Sequence, residues 1–145
     1  MIAVMIDTNV VPDVLLDRQP HAKHSVALWT HVESGRMRGF LSAHAITTIH
    51  YLLRRELGES RATKVVASLL AVFSVAPVDD KVLAEALVSG SPDFVSGSPD
   101  FEDAVMAAAA RRVHCNFIVT RGPKGFKGSI VKAIPPETAN ALITS

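Results

Sequence analysis

The sequence predicts an α/β fold in which one parallel sheet is covered on both faces by helices. Short apolar runs alternate with longer segments of helical periodicity, which is typical of such sheets. The chain has 145 residues, the size of one ordinary domain, so we treat residues 1–145 as a single unit. Hydrophobic residues make up 48% and charged residues 20%, a balance typical of globular proteins.

The first part of the chain predicts two strands and three helices. In order they are strand Ile2–Ile6, helix Val10–Leu16, helix His21–Gly35, strand Gly39–Ala43 and helix Ile46–Leu57. The first strand is a short β-branched run that stops at a polar turn, in which Thr8 or Asn9 can cap the following helix. Gly35 and Gly58 follow the last periodic residues of the two longer helices, where glycine commonly ends a helix.

The second part predicts four helices and three strands. In order they are a helix capped by Ser60, strand Ser74–Val78, helix Asp80–Val88, the alanine-rich helix Glu102–Val113, strands Asn116–Thr120 and Ile130–Ile134, and a closing helix. Pro77 limits the first of these strands, and Pro136 fits the first turn of the closing helix. Between two of these helices, the seven residues VSGSPDF occur twice in succession, which we interpret as a duplicated loop segment.

Overall charge and cysteine content exclude several classes of protein. The formal net charge is +1, so phosphate binding would need a local cluster of basic residues. Cys115 is the only cysteine, which excludes an internal disulfide and a zinc-binding cysteine pair. The apolar run at the N-terminus is cut short by Asp7, too early for a signal peptide or a membrane span. We therefore expect a soluble cytoplasmic protein with no membrane association.

Asp7 is the first candidate site residue. Ligands of open parallel sheets bind beyond the carboxyl ends of the strands, and Asp7 directly follows the first predicted strand. A carboxylate there suits a metal ion. Asp, Thr and Asn are also good helix caps, so the Asp7-Thr8-Asn9 turn alone leaves both interpretations open.

A second acidic group stands at the start of the alanine-rich helix. Asp100, Glu102 and Asp103 lie within four residues, and a solvated helix start favoured by the helix dipole would explain them. Alternatively, Asp103 projects toward Asp7 while Glu102 points elsewhere, because neighbouring helical residues diverge by about 100°. The cluster alone does not decide between the two.

The loop after the fourth strand is basic and rich in glycine. Arg121, Lys124 and Lys127 are spaced three residues apart and suit phosphate oxygens, although an exposed glycine turn with incidental lysines would look similar. The loop lacks the register of a Walker A motif. His44 and His50 are expected to have ordinary surface or cap roles. With only one Trp and one Tyr (Tyr51), the sequence predicts no aromatic platform for stacking bases.

Taken together, these segments resemble the PIN-domain family across nearly the whole chain, most closely the subgroup similar to VapC-type toxins. The matching segments are Asp7-Thr8-Asn9-Val10-Val11, Tyr51-Leu52-Leu53, Asp100-Phe101-Glu102-Asp103-Ala104 and Thr120-Arg121. The resemblance implies a three-layer α/β/α fold with a mostly five-stranded parallel sheet. It also implies a ribonuclease that depends on Mg²⁺ or Mn²⁺ and hydrolyses RNA phosphodiester bonds.

The resemblance also assigns roles to individual residues. Asp7 and Asp103 match acids that hold the metal, and Asp100 matches a less constant acid of the catalytic cluster. Thr8, Asn9 and Thr120 match polar residues that orient ligands or contact phosphate. The basic loop adds Arg121, Lys124 and Lys127 as residues expected to contact RNA phosphates. Many relatives of this kind are toxins that form homodimers and are blocked by a small antitoxin protein, so an antitoxin and a homodimer are implied here as well.

Two departures from the family pattern leave an alternative. The acid usual in the helix after the second strand is replaced by Thr48, and Gly122 and Gly125 stand where Asn and Asp are usual. Two metal ions need more negative charge than two aspartates supply, whereas one ion remains compatible with them. The alternative is a degenerate PIN domain that binds RNA or a protein without cutting. A dehalogenase-type phosphatase is a weaker third class, because its Asp-x-Asp motif would need Asp at Asn9.

Overall fold

A computed structural model describes residues 1–89, 101–126 and 128–144. The strands are β1 (Ala3–Ile6), β2 (Arg38–Ser42), β3 (Ser74–Ala76), β4 (Phe117–Val119) and β5 (Lys132–Ile134). The helices are α1 (Val10–Leu15), α2 (His21–Glu33), α3 (Ala43–Leu57), α4 (Glu59–Val72), α5 (Asp80–Ser89), α6 (Phe101–Arg112) and α7 (Pro136–Thr144), with a 3₁₀ turn at Pro123–Phe126.

The five strands form one parallel sheet in the order β3-β2-β1-β4-β5, with β1 at its centre. Successive side chains of β1 enter different cores because residues of a strand alternate between the faces of the sheet. Val4 and Ile6 belong to one hydrophobic cluster and Met5 to the other. The three-layer α/β/α prediction is therefore confirmed for the part of the chain that the structure describes.

The two faces of the sheet are covered differently. One cluster takes side chains from α1, α2, α3, α4 and α7, and the other mainly takes side chains from α5, α6 and the 3₁₀ turn. Helix α6 buries four alanines, Val105 and Met106; the alanines are Ala104, Ala108, Ala109 and Ala110. Helices α5 and α6 are also joined by an ion pair in which Arg111 Nη2 donates to Glu85 Oε2 at 2.7 Å.

Several predicted boundaries are wrong by a few residues. Ala43 was assigned to the second strand, but it begins α3, so that helix follows β2 without a loop. Gly58 rather than Ser60 precedes α4 as its cap residue, at φ +87°, a conformation that glycine adopts easily. The strand predicted over Ile130–Ile134 begins only at Lys132. Most of the duplicated VSGSPDF segment lies outside the described residues.

No described helix combines the length and the apolar character that crossing a membrane requires.

Candidate metal centre

Asp7 and Thr120 meet at the carboxyl ends of the two central strands. Ile6 of β1 pairs with Val119 of β4, so the next residue of each strand lies at the same edge. Thr120 Oγ1 donates a hydrogen bond to Asp7 Oδ2 at 2.7 Å, and the backbone N–H of Thr8 donates to Asp7 Oδ1 at 2.8 Å. Helix α1 has no side-chain cap hydrogen bond. The cap interpretation of Asp7 therefore has no support, and its carboxylate is held at the carboxyl ends of the strands by these two hydrogen bonds.

A glycine turn connects this pair to Asp103. The N–H of Gly122 donates to Thr120 Oγ1 at 3.1 Å, and the N–H of Gly125 donates to the carbonyl of Gly122 at 3.0 Å. A Cβ atom added at Gly125 would lie 3.3 Å from Asp103 Oδ2. The two aspartates thus border the same short turn, one from the central strand and the other from α6.

The two described acidic residues at the start of α6 have different surroundings. Glu102 is exposed, whereas Asp103 is half-buried and reaches the glycine turn. Their divergence is what the helical repeat of about 100° per residue requires. A solvated helix start therefore accounts for Glu102 but not for Asp103. The third acid predicted here, Asp100, lies outside the described residues, as does Lys127.

A buried carboxylate beside this site was missed by the sequence reasoning. Asp13 of α1 is 0% exposed, and Arg121 Nε lies 2.8 Å from its Oδ2. Neither carboxylate oxygen has an aligned hydrogen bond among the described residues, so the contact is an ion pair. Burial raises the pKa of Asp13, the positive charges of Arg121, His21 and Arg18 oppose that shift, and the charge of Asp7 adds to it. The available signal was a charged residue within an apolar helix.

Arg121 is therefore held rather than free. The sequence predicts that it contacts phosphate, but its Nε faces Asp13, and its side chain is 32% exposed. The ion pair with Asp13 orients the guanidinium, which belongs to the residue after Thr120. A ligand could then accept hydrogen bonds only from the N–H groups that do not face Asp13. An Arg that is already oriented loses less conformational entropy when it binds an anion.

His44 also differs from its predicted surface role. It is the second residue of α3, and both ring nitrogens are buried near the backbone of Glu102. Burial lowers the pKa of His44, while the charge and backbone of Glu102 oppose the shift. His50 does have a surface role, since its Nε2 lies 3.7 Å from Glu59 Oε1. The sequence could not show that α3 begins close enough to α6 to enclose His44.

The remaining predicted contact residues differ in accessibility. Asn9 and Lys124 are exposed. Thr8 is 6% exposed, and its hydroxyl is buried with no hydrogen-bond partner in the part of the chain that the structure describes, so the side chain is not placed to contact a phosphate. Its contribution is the backbone N–H that orients Asp7. Thr48, which stands at the position of a usual family acid, is half-buried on α3.

The donor set fits one divalent cation better than two. Mg²⁺ and Mn²⁺ take hard oxygen ligands, often one or two carboxylates completed by water and substrate phosphate. Asp7 and Asp103 can supply such oxygens, and hydrogen bonds from Thr8 and Thr120 hold Asp7 in place. Within residues 1–89, 101–126 and 128–144, no three His, Cys, Asp or Glu side chains form a metal-binding cluster. The described part of the chain therefore brings two carboxylates to this turn, which is sufficient for one cation.

A family model described as the PIN domain matches residues 3–122. The chain belongs to the PIN-domain family. This match runs from β1 to Gly122, where the glycine turn begins, and so includes both carboxylates of the candidate site. A comparison of the PIN-domain sequence with curated proteins found no match.

Solved structures share the fold of this PIN domain. The VapC20 toxin of Mycobacterium tuberculosis, described as cleaving the sarcin–ricin loop, has a TM-score of 0.68 at 19% identity, covering 88% of this chain and 96% of the toxin chain. FitAcB from Neisseria gonorrhoeae has a TM-score of 0.70 at 22% identity, and the match covers 92% of this chain and 97% of the FitAcB chain. DNA-bound VapBC from Salmonella typhimurium has a TM-score of 0.67 at 17% identity, and the match covers 94% of this chain and 99% of the VapBC chain. The VapC-like PIN fold predicted from the sequence is thus confirmed.

Proposed function

We propose that this PIN domain is a metal-dependent endoribonuclease and the toxin of a toxin–antitoxin pair. One observation carries the catalytic part of the proposal. Asp7, oriented by Thr120, and Asp103 border the same turn at the carboxyl ends of the central strands. Two carboxylates converging on a crevice from separate elements are a typical arrangement for binding a divalent cation and a phosphodiester.

Each residue has a distinct part in the proposed reaction. Asp7 and Asp103 would hold Mg²⁺ or Mn²⁺. The ion would lower the pKa of a water molecule and stabilise negative charge on the phosphate. Thr120 keeps the carboxylate of Asp7 in one orientation by its 2.7 Å hydrogen bond. Arg121 and the exposed Lys124 provide positive charge beside the glycine turn, where RNA phosphates would approach.

The toxin role rests on similarity alone. Structures with the same fold include the ribosomal-loop-cleaving VapC20 and the VapBC and FitAcB proteins. Another is described as a toxin–antitoxin complex from Klebsiella pneumoniae. We propose by analogy a small antitoxin protein that covers the crevice, a homodimer, and action on RNA in the cytoplasm.

The missing acids favour a second candidate, a PIN domain that binds RNA or a protein without cutting it. Thr48, Gly122 and Gly125 stand where the family usually has polar or acidic side chains. The described residues supply only two carboxylates at the glycine turn, with no cluster of three. Such a protein would retain Arg121 and Lys124 for phosphate contact but would show no metal-dependent turnover.

A cleavage assay with a matched pair of variants separates the two candidates. We expect the wild type to cut RNA as Mn²⁺ is titrated, and Asp103→Asn to lose that cleavage with an unchanged circular dichroism spectrum. Glu102→Gln is the control, because it removes the neighbouring exposed charge from the same helix turn. Equal cleavage by wild type and Asp103→Asn would refute the assignment. Metal-independent RNA binding without cleavage by the wild type would select the non-catalytic candidate.

A growth assay tests the toxin role. Induced expression of the wild type in a bacterial host should arrest growth, and expression of Asp103→Asn should not. Growth arrest by both proteins would show that the effect does not come from the candidate site.

A further inference from the structure

The side of α3 away from its buried face carries a line of polar and aromatic residues. His44, Thr48, Tyr51 and Arg55 follow one another at intervals of four, three and four residues. At about 100° per residue all four lie within an arc of about 60° on the helix surface. We call these four residues the α3 stripe. The buried residues of the same helix, Ala45, Ile49 and Leu53, form a separate face.

The first end of the α3 stripe lies at the candidate metal centre. Helix α3 begins directly after β2, at the carboxyl edge of the sheet. His44 lies close enough to Glu102 of α6 to interact with its charge, and Glu102 is the neighbour of Asp103. The stripe therefore leads away from the crevice that Asp7 and Asp103 border.

The other end of the α3 stripe is open to solvent. Tyr51 is 50% exposed, and guanidinium groups lie over its ring, Arg55 at 5.8 Å and Arg54 at 6.0 Å from the centroid. Arg54 also lies 3.9 Å from Glu59, whereas Arg55 forms no ion pair within the described chain. The tyrosine ring thus lies beside two cations, and half of the residue is exposed to solvent.

Helix α4 covers a different flank of α3. The polar contacts between the two helices include His50, whose Nε2 lies 3.5 Å from Thr63 Oγ1, and the ion pair of Arg54 with Glu59. His50 and Arg54 project from α3 at least 60° away from every member of the stripe, given about 100° per residue. Along the stripe Thr48 is half-buried, whereas Tyr51 and Arg55 are exposed. These two residues span about 6 Å of the helix at 1.5 Å per residue.

We propose that the α3 stripe binds an unpaired segment of RNA next to the cleavage position, with one base stacked on Tyr51 and a neighbouring phosphate on Arg55. The proposal rests on the proposed ribonuclease function. Tyrosine faces accept any base by stacking, and an arginine held nearby adds attraction to the phosphate. A single tyrosine in the sequence predicts no stacking platform. In the structure, however, the ring of Tyr51 lies beside two arginines and on the same helix stripe that begins near the candidate metal centre, so one base and one phosphate can be bound together.

Binding measured without metal tests the stripe separately from catalysis. The probes are a fluorescein-labelled unpaired RNA 12-mer and a fully paired 12-base-pair RNA, with fluorescence anisotropy read in EDTA. We expect Tyr51→Leu to weaken binding of the unpaired RNA about 10-fold, and Tyr51→Phe to stay within about 2-fold of wild type. Arg55→Gln should weaken binding and lower the slope of log K against log salt by about one.

Two controls accompany these variants. Arg36→Gln removes an exposed arginine that precedes β2, at the opposite edge of the sheet, and should leave RNA affinity unchanged. Thermal unfolding of each variant verifies that the half-exposed Tyr51 can be replaced without loss of the fold.

Three outcomes would overturn the proposal. Wild-type affinity of Tyr51→Leu for the unpaired RNA would remove the stacking role. An equal loss for the paired RNA would show that general charge or shape is read instead. Unchanged RNA binding combined with lost binding of a partner protein would assign the surface to that protein.

The cleavage assay keeps the two hypotheses apart. If the wild type cuts RNA, Tyr51→Leu should raise KM while kcat stays unchanged, because the ring lies away from the carboxylates. If the wild type never cuts but its binding in EDTA depends on Tyr51, the catalytic proposal fails and the α3 stripe stands.

Discussion

Replacing Gly125 with Asp tests whether the glycine turn really faces Asp103. The new Cβ would lie 3.3 Å from Asp103 Oδ2, a tight contact that requires a shift of a few tenths of an ångström. Gly125 does not have a positive φ, so the backbone accepts a side chain. The new carboxylate would stand about 5 Å from that of Asp103. Coulomb's law then gives a repulsion of about 1 kcal/mol in water and about 3 kcal/mol at an effective dielectric constant of 20.

We therefore expect Gly125→Asp to lower the free energy of unfolding by about 1–3 kcal/mol in EDTA, a fall in Tm of roughly 3–10 °C for a domain of this size. Mn²⁺ should reverse the loss, because the added carboxylate completes the ligand set. A ligand at 100 times its Kd stabilises the folded state by about 2.7 kcal/mol. Adding Thr48→Asp, the other replaced acid, should tighten Mn²⁺ binding further in calorimetry.

Gly125→Asn is the matched control, since it meets the same 3.3 Å contact without adding charge. Differential scanning fluorimetry of both variants, in EDTA and across a Mn²⁺ titration, separates charge from crowding. Identical Tm values for the Asp and Asn variants under every condition would refute the reasoning, because position 125 would then not share a site with Asp103.

Three further predictions follow from single contacts. Thr120→Val removes the donor to Asp7 Oδ2 and should lower Mn²⁺ affinity or cleavage about 10- to 100-fold with little change in fold, as measured by calorimetry and cleavage rates. The pKa of Asp13 is raised from 3.8 in the folded state, so its contribution to stability is fully present below pH 3.8 and is lost as pH rises through the folded pKa. In urea unfolding at a series of pH values, the free energy of unfolding of Asp13→Asn should therefore rise relative to that of the wild type as pH increases. A difference between the two proteins that does not change with pH would contradict the buried placement of Asp13. Burial raises the pKa of Cys115 to about 12, so native protein should resist a thiol reagent at pH 8 and react only when unfolded, which absorbance of the released dye would measure.

The sequence was sufficient for the parts of the fold that depend on local pattern. The apolar run that stops at Asp7 predicts a buried strand with a carboxylate at its end, and the structure has that strand at the centre of the sheet. The divergence of Glu102 and Asp103 follows from helical geometry alone. These features needed no knowledge of distant contacts.

What the sequence could not supply depends on residues far apart in the chain. Asp13 is buried because Arg121, which follows the fourth strand, folds against it. The hydroxyl of Thr120 is committed to Asp7 because β1 and β4 are adjacent in the sheet, which is a matter of strand order. His44 is enclosed only because α3 starts immediately after β2 and next to α6. Local periodicity contains none of this information.

Ala109 and Ala110 of helix α6 are both 0% exposed, and Val105 and Met106 of the same helix are buried with them. A side chain longer than that of alanine at position 109 or 110 would have to displace neighbours in a closely packed interior. Such a displacement would move Asp103, which lies at the start of the same helix, relative to the glycine turn that it borders. We therefore expect a larger residue at either position to lower Mn²⁺ affinity as well as Tm.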